Sequence, residues 1–522
     1  MDWEIIVTFG IVWIFVLFLP EITFRLEITA IPFFLIAGMV LGPYGLGVVH
    51  GFEGLKFMGM LGLLFLIFLA GLDVHHAGKL RFKDSVMMAT IIGCISFCGG
   101  FLLGIFAGYS PLSSALLGTV FQSSSVGEII PIVNTNRRLR EKFGILILPS
   151  LIIMDIVSLL MFSIFLNFKD NFLETLLITL EFIAFVTAIF IIIPRVGKYL
   201  DRKYFMASRE FRVKILTMIV LAVSSVSLLL GMHPISVMFI SGVLLGKYVD
   251  DSLYNKLETI GHTFFIPIFF FVIGVETNFQ LIFSSTNYIL VISVVSVLVV
   301  SKFMGGLLSS KILGVSGRDS IALGIIYIPQ LSATLAATEV AYSLGFFDDS
   351  LRAAIVSMSI ITVLITPAIL RLIYREREKV DMKDHVVILG GGVSGEYAAS
   401  ALYLMKVPFV VVDNDLKVVR RLREKGYTVI YGNAIHRNTL ISAGIKHAKI
   451  ALIMLPEPHE CVVSARQIRS INPDVRIIAR VHSQKEAKVI REYVDEVLVP
   501  EVITGMNIIW LLVREFKELN KE

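Results

Sequence analysis

The stretch LPSLIIMDIVSLLMF, residues 148–162, sets one carboxylate, Asp155, in the middle of a run that otherwise reads as lipid-phase helix. A charge at bilayer depth costs roughly 3 kcal/mol even on insertion scales, so such an acid marks a functional site and calls for a partner. Composition supports the membrane reading. Of 522 residues, 56% are hydrophobic and 17% charged, and the mean hydropathy is +0.81, too apolar for a soluble protein of this length. The three cysteines (Cys94, Cys98 and Cys461) follow neither disulfide nor zinc spacing, so no tightly bound metal is expected. The net charge of +5 sits mainly in short loops between apolar segments, which points to topology rather than to a nucleic acid partner. The first apolar run follows Met-Asp-Trp-Glu without a basic region, so no cleavable signal is expected.

Runs long enough to cross about 30 Å of hydrocarbon number thirteen, near residues 3–20, 28–42, 57–72, 86–108, 111–133, 144–166, 172–193, 213–230, 234–246, 263–275, 287–308, 320–345 and 352–373. One set of alternate loops holds 18 Lys and Arg, whereas the other holds three, Lys56, Lys169 and Arg352. The basic set is therefore cytoplasmic. With an odd number of spans, the N-terminus is expected outside and everything after residue 373 in the cytoplasm. The domains expected are a membrane domain over 1–375, a charged linker over 376–384, and a cytoplasmic domain over 385–522.

Short strings recur. Segment two ends AGMVLG (37–42) and segment nine SGVLLG (241–246); segment three ends FLAGLD (68–73) and segment ten FVIGVE (271–276). Seven segments separate each pair, an odd number, so the halves are inverted repeats. Segments five (FQSSSVGEIIP, 121–131) and twelve (IPQLSATLAATE, 328–339) then correspond, and both look broken, with Gln, small hydroxyl residues and Pro at mid-membrane. Paired interrupted helices point to a midplane ion site, because their freed carbonyls and dipole ends can coordinate ions. Asp155 follows the first break. Lys302, within VLVVSKFMGG (297–306), precedes the second.

The strings PFFLIAGMVLGPYGLG (32–47), LGLLFLIFLAGLDV (61–74), PIFFFVIGVETN (267–278) and SKFMGGLLSSKILGVSGRDSIALGI (301–325) resemble the monovalent cation:proton antiporter-2 family, Kef-type branch, over roughly residues 1–375. The resemblance implies thirteen helices in inverted repeats with crossed broken helices, an essential aspartate at Asp155 and a membrane-embedded base at Lys302. It departs at Met154, where related exchangers carry Asp, Asn or Gln. A thioether suits Na+ and K+ poorly, so the cation is expected to be held by Asp155, Ser124, Ser125 and carbonyls, with Glu128 either supplying the missing oxygen or marking a segment end.

Beyond the linker, HVVILGGGVSGEYAASALYLMKVPFVVVDND (385–415) reads as strand, Gly-rich turn (Gly390, Gly392, Gly395), helix and a second strand ending at Asp413. Glycines there let a backbone approach a pyrophosphate at a helix N-terminus, and Asp413 can accept hydrogen bonds from a ribose diol. The α/β alternation continues through 428–455 and 475–500. This half resembles the regulator of K+ conductance (TrkA-N) domain over about 384–505, which implies nucleotide sensing and a homodimer. Where that family has Gly-Asp, this chain has Gly432-Asn433, so the nucleotide stays open, NAD(H) or AMP being expected.

The expected function is exchange of Na+ or K+ for a proton across the plasma membrane, the two substrates competing for Asp155, under nucleotide control. A nucleotide-gated K+ channel is the alternative, although no TVGYG-type filter occurs. A membrane-bound NAD-dependent oxidoreductase is a third, but little chain remains after Pro500 for a substrate region, and His436, His447, His459 and His482 form no catalytic pattern.

Overall fold

Apolar runs account for most of the first 373 residues. The computed structural model describes residues 3–25, 29–49, 53–76, 82–125, 129, 133, 137–166, 184, 187–195, 197–198, 209–229, 234–283, 287–373 and 382–519. The chain forms two compact units, one with residues 1–132 and 141–373, the other with residues 133–140 and 374–522.

In the first unit the helices are α1 (Trp3–Arg25), α2 (Ile31–Leu41), α3 (Glu53–His76), α4 (Phe82–Phe106), α5 (Pro111–Gln122), α6 (Arg137–Leu166), α7 (Arg209–Leu229), α8 (Pro234–Leu245), α9 (Asp251–Ile260), α10 (Ile266–Glu276), α11 (Asn287–Ile312), α12 (Arg318–Ile326), α13 (Ser332–Ser343) and α14 (Asp349–Ile373). A π-helical turn, Gly261–Phe265, joins α9 to α10. Every expected segment except 172–193, which lies largely outside the described residues, coincides with a helix or helix pair. Among the described residues, six helices are long and apolar enough to cross a membrane alone.

Two bundles emerge from the packing. In one, α2 and α3 pack on α10 and α3 on α8; in the other, α4 packs on α5 and α11, while α11 also packs on α12 and α14. Glycines set the crossings. A Cβ on Gly38 would lie 2.2 Å from Phe271 O and one on Gly274 2.2 Å from Leu35 O; one on Gly71 would lie 2.3 Å from Phe239 O and one on Gly242 2.3 Å from Phe68 O. No side chain fits such approaches, which lie inside van der Waals contact. The two crossings exchange partners between the repeated strings, as inverted repeats require. A second pair of close crossings lies within each half: a Cβ on Gly100 would meet Leu117 O at 2.8 Å, and one on Gly306 would meet Leu323 O at 2.7 Å.

The second unit is a six-stranded, wholly parallel sheet in the order β3-β2-β1-β4-β5-β6. Its strands are β1 (His385–Leu389), β2 (Phe409–Asp413), β3 (Val429–Tyr431), β4 (Ala448–Ile453), β5 (Arg476–Arg480) and β6 (Glu496–Leu498). Helices α15 (Val393–Leu404), α16 (Leu416–Glu424), α17 (Arg437–Ser442), α18 (Pro458–Ile471), α19 (Gln484–Ile490) and α20 (Pro500–Leu519) alternate with the strands or follow them. All five residues of β1 are buried, as a strand covered on both faces should be. The strand order reverses between β1 and β4, which opens a crevice at the carboxyl end of β1 where Rossmann folds bind dinucleotides.

Candidate functional site

Helix α5 starts cleanly: Pro111 occupies its first turn and Ser110 Oγ accepts from Ser113 N at 3.1 Å. It stops at Gln122, and Ser123 turns to extended backbone. Serine hydroxyls in a row offer the chain alternatives to the helical ladder. The second break runs from Tyr327 to Leu331, between α12 and α13, where Pro329 denies helical geometry to the residue before it. The two breaks lie against each other. Ser125 N donates to Pro329 O at 3.0 Å. Gln330 Nε2 donates to Phe121 O (3.1 Å) and Ser123 O (2.6 Å), and Ser123 Oγ reaches Gln330 Oε1 (3.2 Å) and Thr334 Oγ1 (2.8 Å). Carbonyls that helices would otherwise satisfy are paired across the crossing.

Lys302, fully buried on α11, spends its ammonium on this crossing. Its Nζ donates to Gln122 O (2.8 Å), Ser123 O (2.6 Å) and Ser124 Oγ (2.8 Å). All three donors are thus used at the C-terminal end of α5, where the helix dipole is negative. Ser124 carries the connection onward: its N donates to Asp155 Oδ1 at 3.1 Å, and its Oγ donates to Tyr327 O at 3.0 Å. Asp155 itself is fixed along α6 by anchors on either side. Ser150 Oγ pairs with Tyr327 OH at 2.6 Å, and Ser158 Oγ donates to Thr119 O at 2.8 Å.

The structure therefore brings Asp155, Ser124 and Lys302 into one hydrogen-bonded chain, with Ser125 beside it. Ser125 Oγ and Gln122 Oε1 are buried oxygens with no partner among the described residues. Unpaired buried oxygens cost energy unless something binds them, and hard oxygens are what Na+ or K+ takes. Met154 is buried at 1% exposure. Glu128 lies outside the described residues. Sequence reasoning missed Ser123, Gln330, Tyr327 and Thr334 as the braces of the crossing; the Gln and hydroxyl strings of the two broken segments were the signal.

In the second unit the Gly-rich turn follows β1 directly. Gly390 has φ +99°, and a Cβ there would lie 2.7 Å from Met454 O; on Gly395 it would lie 1.8 Å from Gly390 O. Both glycines are dictated by the chain itself. Gly392, the N-cap of α15, is different: a Cβ there would meet nothing within 4 Å, and no side chain caps the helix. That open helix N-terminus fits an anionic phosphate. Asp413, at the end of β2, accepts from Gly391 N (2.5 Å) and Asp415 N (2.7 Å), using two of a carboxylate's roughly four acceptor sites. Asn433 Oδ1 accepts from Ile435 N at 3.1 Å. Gly432 N bonds Asp413 O at 3.0 Å, which draws the ends of β2 and β3 together.

The family model described as sodium/hydrogen exchanger, transmembrane, matches residues 11–376, and that of the TrkA-N domain matches 386–500. A Methanocaldococcus jannaschii protein named "Probable Na(+)/H(+) antiporter 3" is 32% identical over 372 residues, 70% of this chain and 96% of its own length. "Na(+)/H(+) antiporter NhaS5" of Synechocystis sp. is 27% identical over 348 residues, 65% of this chain and 49% of the relative. Among solved structures, the sodium proton antiporter MjNhaP1 from Methanocaldococcus jannaschii matches with a TM-score of 0.54 and 15% identity, over 71% of this chain and 97% of that one. At that identity the likeness is one of fold.

Proposed function

The chain belongs to the sodium/hydrogen exchanger family, transporters rather than enzymes, and from that premise we propose that it exchanges Na+ or K+ for a proton at Asp155. The observation that carries this is the Asp155 carboxylate bonded to the break in α5, beside the buried, unpaired Ser125 Oγ and Gln122 Oε1. A protonated Asp155 lacks the negative charge a cation needs in a site this buried, so the two substrates exclude each other. Ser124 N orients the carboxylate. Lys302 braces the break through Gln122 O, Ser123 O and Ser124 Oγ, which holds Ser124 N against the carboxylate. Movement of one bundle against the other would expose the site to each side in turn. Glu128 is a second candidate carboxylate on the same broken segment.

The cytoplasmic unit regulates exchange by binding an adenine nucleotide, NAD(H) or AMP. Gly390 and Gly395 shape the turn, Gly392 and the start of α15 receive phosphate, Asp413 takes ribose hydroxyls, and Asn433 lies at the edge of the crevice. A homodimer is supported by α20, where Met506, Ile509, Trp510 and Leu512 expose apolar surface that a second copy would cover. The loop-charge asymmetry supports a plasma-membrane protein with its N-terminus outside. The test is reconstitution of the full chain in liposomes, comparing Na+ with K+ under an imposed pH gradient. Asp155→Asn should abolish exchange while the protein remains folded. Proton movement driven by cation in that variant would refute Asp155 as the carrier.

A further inference from the structure

A second buried charge cluster, unused by the exchange site, joins the two bundles. Arg352, at the start of α14, is 2% exposed. Its NH2 bonds both oxygens of Glu339 on α13, at 2.9 and 2.8 Å, and Glu276 Oε2 at 3.2 Å; its NH1 bonds Glu276 O at 3.1 Å. Lys56 Nζ lies 3.1 Å from the other oxygen of Glu276, and the Tyr342 ring sits 4.2 Å beneath the guanidinium. Glu339 and Arg352 belong to the bundle that holds the broken helices, whereas Glu276 ends α10 and Lys56 begins α3, in the other bundle. One guanidinium is thus shared between a carboxylate of each bundle. Each bundle contributes one positive and one negative charge, and of these contacts only Arg352–Glu276 crosses between them.

We propose that the Arg352–Glu276 bridge is a latch that holds the face carrying Lys56 and Arg352 shut and must open in each exchange cycle. It rests on the exchange reading and on the loop-charge orientation, which make that face the outer one. The division of partners is suited to reversibility. When the bundles part, Arg352 keeps Glu339 and Glu276 keeps Lys56, so neither bundle is left with a lone buried charge, the costly outcome of breaking a buried pair. Arg352 Nε has no partner among the described residues, so the closed arrangement is not fully satisfied either. A device that must let go cannot hold its charges too well.

Removing the bridge raises the outward-open population, and apparent affinity scales with the fraction of the competent state. In oriented vesicles, Glu276→Gln should lower the apparent KM for outer Na+ and raise that for inner Na+, moving their ratio about tenfold. A merely structural role would reduce active protein and leave the ratio alone. An independent readout needs no transport: Thr277, 1% exposed beside Glu276, replaced by Cys in a chain with its three native cysteines changed to Ser, should react about tenfold faster with an impermeant outside maleimide when Glu276→Gln is added. Should Glu276→Gln fold poorly, Glu276→Cys with Arg352→Cys, joined by a short cleavable thiol cross-linker, should stop exchange until the link is cut. An unchanged KM ratio with unchanged labelling, or wild-type exchange through the cross-linked protein, would overturn the latch. Absent exchange in the wild type together with faster labelling would refute the exchange reading and keep the latch.

Discussion

Replacing Lys302 by Met isolates what its ammonium does, because methionine keeps the length and loses every donor. Three hydrogen bonds go, to Gln122 O, Ser123 O and Ser124 Oγ. The losses are unequal. Ser123 O keeps its bond from Gln330 Nε2 and Ser124 Oγ keeps Tyr327 O, while Gln122 O, at the end of α5, loses the ammonium. Bonds to a charged group contribute about 1.5–3 kcal/mol each, and an orphaned buried acceptor costs about 1–3. Against this, methionine escapes the several kcal/mol of desolvation that a buried ammonium carries. The balance is a destabilisation of about 2 kcal/mol, given the mutual bracing of the breaks. In detergent, thermal unfolding of Lys302→Met should fall several degrees below wild type, Lys302→Arg should recover part of the loss, and Asp155→Asn should move little. Exchange per folded molecule should survive in Lys302→Met, since Asp155 remains. A Lys302→Met protein as stable as wild type but inactive would refute this reasoning and place the ammonium in the exchange chemistry itself.

With Met154 beside Asp155, one cation should exchange for one proton and turnover should be insensitive to voltage; exchange that generates a membrane potential would contradict this, and its loss in Glu128→Gln would identify the second acid. An Asp at position 413 repels a 2′-phosphate, so calorimetry on the full-length protein should find NAD(H) binding tighter than NADP(H), with Asp413→Ala narrowing the difference; equal affinities would count against the ribose assignment. In the TrkA-N unit, burial alone would raise the Asp495 carboxyl, but the Ile477 amide at 2.6 Å, and then Arg469 at 2.9 Å, hold it below the usual carboxylate range. A lowered folded-state pKa gives stability that is present above the unfolded value of about 4 and is lost as pH falls through the folded one. Asp495→Asn should therefore flatten the acid limb of that unit's unfolding, and an unchanged limb would show that the contact does not matter.

The sequence by itself determined what is local. Apolar runs set the spans, Gln and hydroxyl strings with Pro marked both breaks, and the repeated Gly strings paired segment two with nine and three with ten, while the crossings of Gly38 with Gly274 and Gly71 with Gly242 came only with the fold. The strand, Gly-rich turn and acid of 385–413 were equally plain, because that motif lies within one βαβ unit. Tertiary structure decided the partners. Lys302 and Asp155 were legible as an isolated base and acid, yet the ammonium bonds backbone carbonyls some 180 residues away and reaches Asp155 through Ser124. Carbonyls have no identity in a sequence, so no side-chain pattern could name them. Arg352 shows the same limit: in the sequence it counts as one loop charge among three, while in the fold it is buried between two carboxylates from different bundles. A charge's surroundings depend on which distant segments pack around it, and the two-bundle packing, not the local sequence, sets them.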